Sequence, residues 1–236
     1  MSSKDFFEVR DLAGEETLLR QTNDKFIVMR IKDIAGGTST PTVVLSDTQS
    51  DITITDSDGN ATTCDLSNAS YNTVGEVVDY LNAAAGFEVR IMDALRSDAS
   101  DDKWLGDSYT ARTSSEGESV FDILQDSSGL ASYRLRVSYD RLANPNTAKQ
   151  KSHRVVLKTL QYYADLTAAT GGVSIYKVVG TTESKVFSAA SIDVTDTEHD
   201  LGDGCTPGDG NEYVICIDTT VVNHADGYVQ AQFKKE

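Results

Sequence analysis

Histidine is the residue that most often serves as a general acid, a general base or a metal ligand near neutral pH, and this chain has three. His153, His199 and His224 do not form an HExxH pair or another spacing typical of a metal site. No serine lies in a G-x-S-x-G nucleophile elbow. The spacing of these residue types therefore predicts a protein that is not an enzyme and has no small-molecule substrate.

Two acidic loops have a composition that suits a hard cation such as calcium. Residues 56–60 (DSDGN) lack the EF-hand spacing, because Gly59 stands in the wrong place, and they predict a tight hairpin turn instead. Residues 200–212 (DLGDGCTPGDGNE) are the better candidate, and the alternative is a metal-free loop at a sheet edge. The candidate calcium ligands are Asp200, Asp203, Asp209 and Glu212.

The three cysteines are too few and too scattered for a disulfide framework. Cys205 and Cys216 are eleven positions apart, a spacing that matches no zinc motif. We expect Cys64, Cys205 and Cys216 to be three reduced, mostly buried thiols in a protein made in the cytosol. Whether Cys205 pairs with Cys216 stays open at this point.

The charge of the chain narrows its range of partners. Its 37 acidic and 21 basic residues give a net charge of −16. Such a chain repels phosphate backbones, so we expect no nucleic-acid partner. The N-terminus has no apolar core of a signal peptide, and no run of about 18 apolar residues predicts a membrane span.

Short segments rich in β-branched residues dominate the chain and are separated by turn clusters, which is typical of a mainly β protein. In the N-terminal part they are 25–34, 42–46, 51–55 and 61–66, and in the C-terminal part 132–139, 153–166, 172–179, 185–195, 212–220 and 227–234. The spacing of the second group predicts an antiparallel β-sandwich of jelly-roll type. Segment 153–166 also has some character of an amphipathic helix, but its β-branched and aromatic residues favour a strand.

The stretch TVGEVVDYLNAAAGFEVRI (73–91) gives the clearest local pattern. Thr73 and Glu76 have the spacing of a capping box, and apolar residues from Val74 to Ala85 form one stripe of a helix. Gly86 stands where a helix C-cap favours positive φ, and an alternating strand follows it. The N-terminal part is therefore a small α+β unit of ββαβ type.

These patterns predict three parts: a docking domain at 1–95, a polar linker at 96–128 and the β-sandwich at 129–236. Segment 6–25 predicts at most two helical turns. The candidate interface residues are Phe6, Phe7, Val9 and Trp104, since each is a large apolar side chain in a polar setting. The alternative for each is packing against its own domain.

Residues 52–91 (ITITDSDGNATTCDLSNASYNTVGEVVDYLNAAAGFEVRI) resemble the hook-type "IN" motif of flagellins, flagellar hook-associated proteins and many tailed-phage virion proteins. The motif is a β-hairpin, a helix of the form T-[LV]-x-[ED]-[LV]-[VI]-x-x-[IL]-N, and a final strand. The matching residues are Thr73, Val74, Glu76, Val77, Val78, Leu81 and Asn82. The flagellar members carry long terminal coiled-coil helices, which neither end of this sequence predicts.

The resemblance implies a structural protein of a phage particle, located in the virion, whose partners are other virion proteins and copies of itself. We expect a capsid decoration, accessory or head-fibre protein. The alternatives are a tail or baseplate component, and a receptor- or carbohydrate-binding module on a fibre. No cofactor is expected apart from calcium in loop 200–212.

Overall fold

In the computed structural model, the described residues are 10–12, 15–21, 26–46, 50–100, 104, 107–109, 111–113, 118–125, 132–137, 155–163, 171–189, 197–199, 204–205, 211–219 and 228–235. Strands make up 54% of the chain, so the prediction of a mainly β protein is confirmed. The described strands form one six-stranded and three four-stranded antiparallel sheets.

The elements of the first half of the chain are β1 (Arg10–Leu12), β2 (Glu15–Gln21), β3 (Phe26–Asp33), β4 (Thr42–Leu45), β5 (Asp51–Thr55), β6 (Ala61–Asp65), a 3-10 turn (Ala69–Tyr71), α1 (Val74–Asn82), β7 (Phe87–Ile91), β8 (Asp107–Tyr109), β9 (Arg112–Thr113) and β10 (Ser119–Gln125). Those of the second half are β11 (Ser132–Val137), β12 (Val155–Tyr163), β13 (Gly171–Val179), β14 (Thr182–Ala189), β15 (Thr197–His199), β16 (Gly204–Cys205), β17 (Asn211–Thr219) and β18 (Tyr228–Lys235).

The chain divides into two compact units with bounds that differ from the predicted ones. One unit is 25–126, and the other joins 1–24 to 127–236. The predicted linker 96–128 contains β8, β9 and β10, which pair with strands of the first unit. The first strands of the predicted docking domain 1–95 belong to the other unit, because β2 pairs with β18 of the C-terminal part. Both differences arise from pairings between residues far apart in sequence.

The unit 25–126 contains two four-stranded sheets and α1 around one hydrophobic core. Their strand orders are β7-β3-β10-β9 and β6-β5-β4-β8. Ile52 and Ile54 are fully buried, as the alternation in β5 predicts. The strand, hairpin, helix and strand follow each other as expected, but β7 joins the sheet of β3 and the hairpin β5–β6 lies in the other sheet.

Helix α1 begins as its sequence predicts and ends earlier. Thr73 is the N-cap, and both hydrogen bonds of the capping box with Glu76 are present. The helix ends at Asn82 with Ala83 as the C-cap, so the expected C-cap role of Gly86 is wrong. Gly86 is instead required by packing, because a Cβ at this position would overlap the side chain of Asp56.

The second unit contains a six-stranded sheet and a four-stranded sheet. The first has the order β1-β2-β18-β12-β15 with β16 beside β12, and the second has the order β11-β17-β13-β14. Segment 155–163 is a strand, as its β-branched residues favour. Segment 15–21 is also a strand, so the prediction of helical turns there is wrong. Pairing with β18 along seven residues decides its structure.

No helix in the described part of the chain is long and apolar enough to cross a membrane.

Candidate functional site

The hairpin–helix segment (52–91) carries the sequence motif and is the candidate site. The helix packs its apolar stripe into the core of the unit 25–126. The buried residues of this stripe are Val74, Val77, Val78 and Leu81. The motif's apolar positions therefore fix the helix to the sheets, and its polar positions are left to make specific hydrogen bonds.

Asn82, the asparagine of the motif, bonds to the backbone of the strand that follows the helix. Its Nδ2 donates to the carbonyl oxygen of Val89 at 2.8 Å, and the amide nitrogen of Val89 donates to its Oδ1 at 2.7 Å. These are the two bonds that a neighbouring strand would make with Val89. Since β3 pairs with the other side of β7, the Asn82 amide closes part of the outer edge of β7.

Tyr80 makes the corresponding contact with the other sheet. Its hydroxyl donates to the carbonyl oxygen of Thr63 at 3.0 Å. Thr63 lies on β6, the last described strand on that side of its sheet. The Tyr80 ring also packs against Tyr71, with the ring centroids 4.7 Å apart. One turn of α1 therefore closes an edge in each of the two sheets of this unit.

The turn of the hairpin is fastened by Asp56. Its Oδ1 accepts the amide of Asn60 at 2.8 Å, and its Oδ2 accepts the Asn60 side chain at 3.2 Å. Burial would raise the pKa of Asp56, but the hydrogen bonds from Asn60 and from the backbone of Asp58 and Gly59 outweigh it and lower the pKa below 3.8. Gly59 has φ +89°, which confirms the predicted turn chemistry. The carboxylate is therefore a structural anchor at neutral pH.

A shallow cleft of about 350 Å³ lies beside this turn. The Oγ of Ser57, a buried residue, accepts the amide of Gly37 at 2.9 Å, and Asp33 Oδ1 accepts the amide of Ser57 at 3.1 Å. These contacts fasten the loop after β3 to the hairpin turn. The cleft is lined by Asp33, Ile34, Gly36, Gly37, Ser39, Pro41, Ser57, Glu118 and Ser119.

The acidic loop of the second unit is only partly within the described residues. Asp200, Asp203 and Asp209 lie outside them. Glu212 lies on β17, where its Oε2 accepts the Arg136 guanidinium at 2.6 Å. Because Arg136 is 7% exposed, this carboxylate balances a buried positive charge, and its role as a calcium ligand stays a prediction. Among the described residues, no three His, Cys, Asp or Glu side chains are grouped as a metal site.

The expected interface residues fall into two groups. Phe6, Phe7 and Val9 lie outside the described residues. Trp104 is 1% exposed and belongs to the hydrophobic core of the unit 25–126, where it bridges to Gln125. The prediction of Trp104 as an interface anchor is therefore wrong. It rests on the polar residues next to Trp104 in the sequence, which do not indicate that the side chain lies in the core.

The cysteines that the structure describes with their side chains are buried free thiols. Cys64 and Cys216 are both free and 0% exposed, as predicted. The side chain of Cys205 lies outside the described residues. Burial, with a smaller contribution from the charge of Asp65, raises the pKa of the Cys64 thiol to about 11.

The sequence places Asn82 in a motif but does not indicate its partner, and it indicates no role for Tyr80. The contact of Asn82 with Val89 could have been predicted from the sequence. When a strand begins within five residues of a helix end, the last polar side chain of the helix can reach the edge of that strand. No local pattern indicates that Tyr80 reaches Thr63, because the two residues belong to elements that meet only in the folded unit.

A comparison with known protein families and with curated proteins finds no match to this chain.

Proposed function

We propose that this chain is a non-enzymatic structural protein of a tailed-phage particle, located in the virion as a capsid decoration, accessory or head-fibre protein. The observation that carries the proposal is the construction of the hairpin–helix segment. Its motif residues Thr73, Glu76 and Asn82 all form bonds that hold the segment's own elements together. Such a segment supplies a rigid piece of scaffold, which is what an assembly protein needs at a docking surface.

The outer faces of the unit 25–126 support docking in two different ways. On the sheet of β3, charged side chains form ion pairs, including Arg30 with Asp122 at 2.6 Å and Lys32 with Glu118 at 2.7 Å. On the other sheet, the exposed side chains of β4 are Thr42 and Val44, and neither is charged. Thr42 and Val44 therefore form an uncharged, β-branched strip, and Asp51 and Asp65 lie at one end of the same face. In a chain of net charge −16, an uncharged strip is the part that a virion protein of like charge can approach.

For the second unit we propose an antiparallel β-sandwich of jelly-roll type. The support is that β17, inside its four-stranded sheet, is buried on both faces: Tyr213 and Ile215 alternate with Val214 and Cys216, and all four are at most 3% exposed. In a β-sandwich a second antiparallel sheet covers one of these faces, and the burial of the other face of β17 requires a further cover.

The test uses tailed-phage particles purified from the source of the sequence. We expect the chain in the particles at a fixed copy number, measured by quantitative mass spectrometry after density-gradient purification. Immunogold labelling with an antibody against the purified chain then locates it, and labelling of the heads is the expected result. Labelling of tails or baseplates would replace the capsid assignment with the tail assignment.

A chain that is expressed during infection but absent from the particles would overturn the proposal. A non-structural phage protein of similar abundance is the control for carry-over during purification.

A further inference from the structure

The hairpin of β13 and β14 presents an edge strand. Its two-residue loop, Gly180 and Thr181, is closed by Val179 opposite Thr182. Gly180 has φ +60°, the left-handed conformation that such loops need at their first position. β14 is the last strand in the order β11-β17-β13-β14, so β13 is the only described strand beside it.

Most side chains of β14 are exposed to solvent. Glu183 is half-buried, and Val186 is 52% exposed. An exposed edge strand offers backbone N–H and C=O groups to a further strand. The exposed side chains are Thr182, Ser184, Lys185, Val186 and Ser188.

The register of the hairpin determines which residues direct their backbone to the outer edge. In a two-residue hairpin the closing residues hydrogen-bond each other, and bonded pairs then alternate along the strands. Val179 with Thr182, and Lys177 with Ser184, are therefore bonded within the hairpin. The backbone groups of residues 183 and 185 point away from β13.

We propose that the outer edge of β14 pairs antiparallel with β14 of a second copy of this chain, with Ser184 opposite its own equivalent. In this register Glu183 lies opposite Lys185 of the second copy, and Lys185 lies opposite Glu183 of the second copy. Glu183 and Lys185 are also the residues whose backbone groups point away from β13. The same two residues would therefore form the backbone hydrogen bonds between the copies and place opposite charges next to each other. The two-fold axis repeats each pair.

Charge selects a second copy as the partner. Two chains of charge −16 repel each other overall, and a local match of opposite charges offsets this repulsion at the contact. Lys185 would be unfavourable opposite an apolar strand, but it suits a strand that carries a carboxylate at the opposing position. The Lys185 ammonium lies over the Tyr176 ring, 5.3 Å from its centroid, which holds the charge close to the strand.

Two further features set the extent of the contact. The register of the hairpin shifts between Ile175 and Tyr176, which leaves Val186 as an extra residue and interrupts the strand after Lys185. The new ladder is therefore short. Because a carboxylate accepts up to about four hydrogen bonds, Glu183 can receive Lys185 of the second copy in addition to donors in its own chain.

This inference deepens the proposed function by naming a partner and a contact, and it rests on that function only for its biological setting. The pairing is measured on the purified chain, whereas the function is measured on particles. A chain that is monomeric at every concentration but present in particles would overturn the strand pairing alone.

The experiment is sedimentation equilibrium of the full-length chain over a range of concentrations. We expect a reversible monomer–dimer equilibrium, and we expect Lys185→Glu to weaken dimerisation roughly tenfold, because it places like charges opposite each other twice. The double variant Glu183→Lys with Lys185→Glu restores opposite charges and should recover the dimer. Arg90→Glu changes the net charge by the same amount as Lys185→Glu in the other unit and should leave the dimer unchanged.

Circular dichroism of each variant confirms that it is folded. The proposal is overturned if the wild-type chain does not dimerise, if Lys185→Glu and Arg90→Glu have equal effects, or if the folded double variant stays as weak as Lys185→Glu.

Discussion

The two units of this chain treat the edges of their sheets differently. In the unit 25–126, side chains of α1 bond to backbone groups at the edges of both sheets, through Tyr80 and Asn82. In the second unit, β14 ends its sheet with exposed side chains and a hairpin loop. A closed edge stabilises the unit that holds it, whereas an open edge is available for association.

This difference separates a region that stabilises its own unit, around α1, from a region that is open to a partner, at β14. The bonds of α1 are internal to the motif segment and need no second molecule. In the proposed pairing, Glu183 and Lys185 of β14 lie opposite residues of the other charge in a second copy. The units therefore combine a self-contained scaffold with a strand that is suited to assembly, and substitutions can separate the two properties.

The largest effect is expected at the core of the scaffold. Trp104→Ala should lower the free energy of unfolding by about 3–5 kcal/mol, because it leaves a cavity at a residue that is 1% exposed. Urea unfolding measures the loss, and hydrogen exchange should show it in amides of β3 and β5 before those of β13 and β17. Trp104→Phe keeps most of the volume and should cost less. An unchanged stability together with a lost oligomer would return Trp104 to an interface role.

The next effect tests the closed edge of β7 directly. Asn82→Ala should cost about 1–3 kcal/mol, because the N–H and C=O groups of Val89 lose their partners. Hydrogen exchange at the Val89 amide should become faster by a larger factor than at other positions of β7. Asn72→Ala is the control, since its exposed side chain makes no hydrogen bond among the described residues. Equal exchange at Val89 in both variants would show that water replaces Asn82 at no cost.

Much of the fold follows from local pattern. The alternation in β5, the capping box of α1 and the Asp-Gly turn all predict what the structure has, because each depends on residues a few positions apart. The strands from β11 to β18 are also located by their β-branched residues, although β15 and β16 are too short to give a pattern.

The rest depends on contacts that no local pattern contains. β2 is a strand because β18, some 200 residues later, pairs with it. The polar sequence around Trp104 predicts a linker, but pairing of β8 with β4 brings this region onto the core. The sequence predicts a helix cap at Gly86, but the close approach of the Asp56 side chain explains this glycine. For the candidate site, the sequence identified Asn82 and Thr73 and could not supply the atoms that they bond.

A smaller effect is expected at the start of the helix that closes both edges. Thr73→Ala should cost about 1 kcal/mol, because the Glu76 amide loses the acceptor that caps the helix. Thr73→Ser keeps the hydroxyl and should retain most of the stability in the same urea titration. If the cap stabilises only the first turn of α1, hydrogen exchange at the Val89 amide stays slow in Thr73→Ala. That result would show that the first turn can be weakened without opening the edge of β7 at the last turn.

The smallest effect tests the second closed edge. Tyr80→Phe removes one exposed hydrogen bond to Thr63 and should cost about 0.5 kcal/mol, since water can replace the hydroxyl at the surface. Tyr71→Phe is the matched control, because it removes a hydroxyl from the ring that packs against Tyr80 and breaks no hydrogen bond among the described residues. Urea unfolding of both variants gives the difference, and sedimentation equilibrium shows whether opening the edge of β6 creates a new association. If Tyr80→Phe dimerises more strongly than the wild-type chain, even when β14 carries Lys185→Glu, the hydroxyl keeps this sheet from pairing. If it does not, the bulk of α1 protects the edge and the hydroxyl only adds stability.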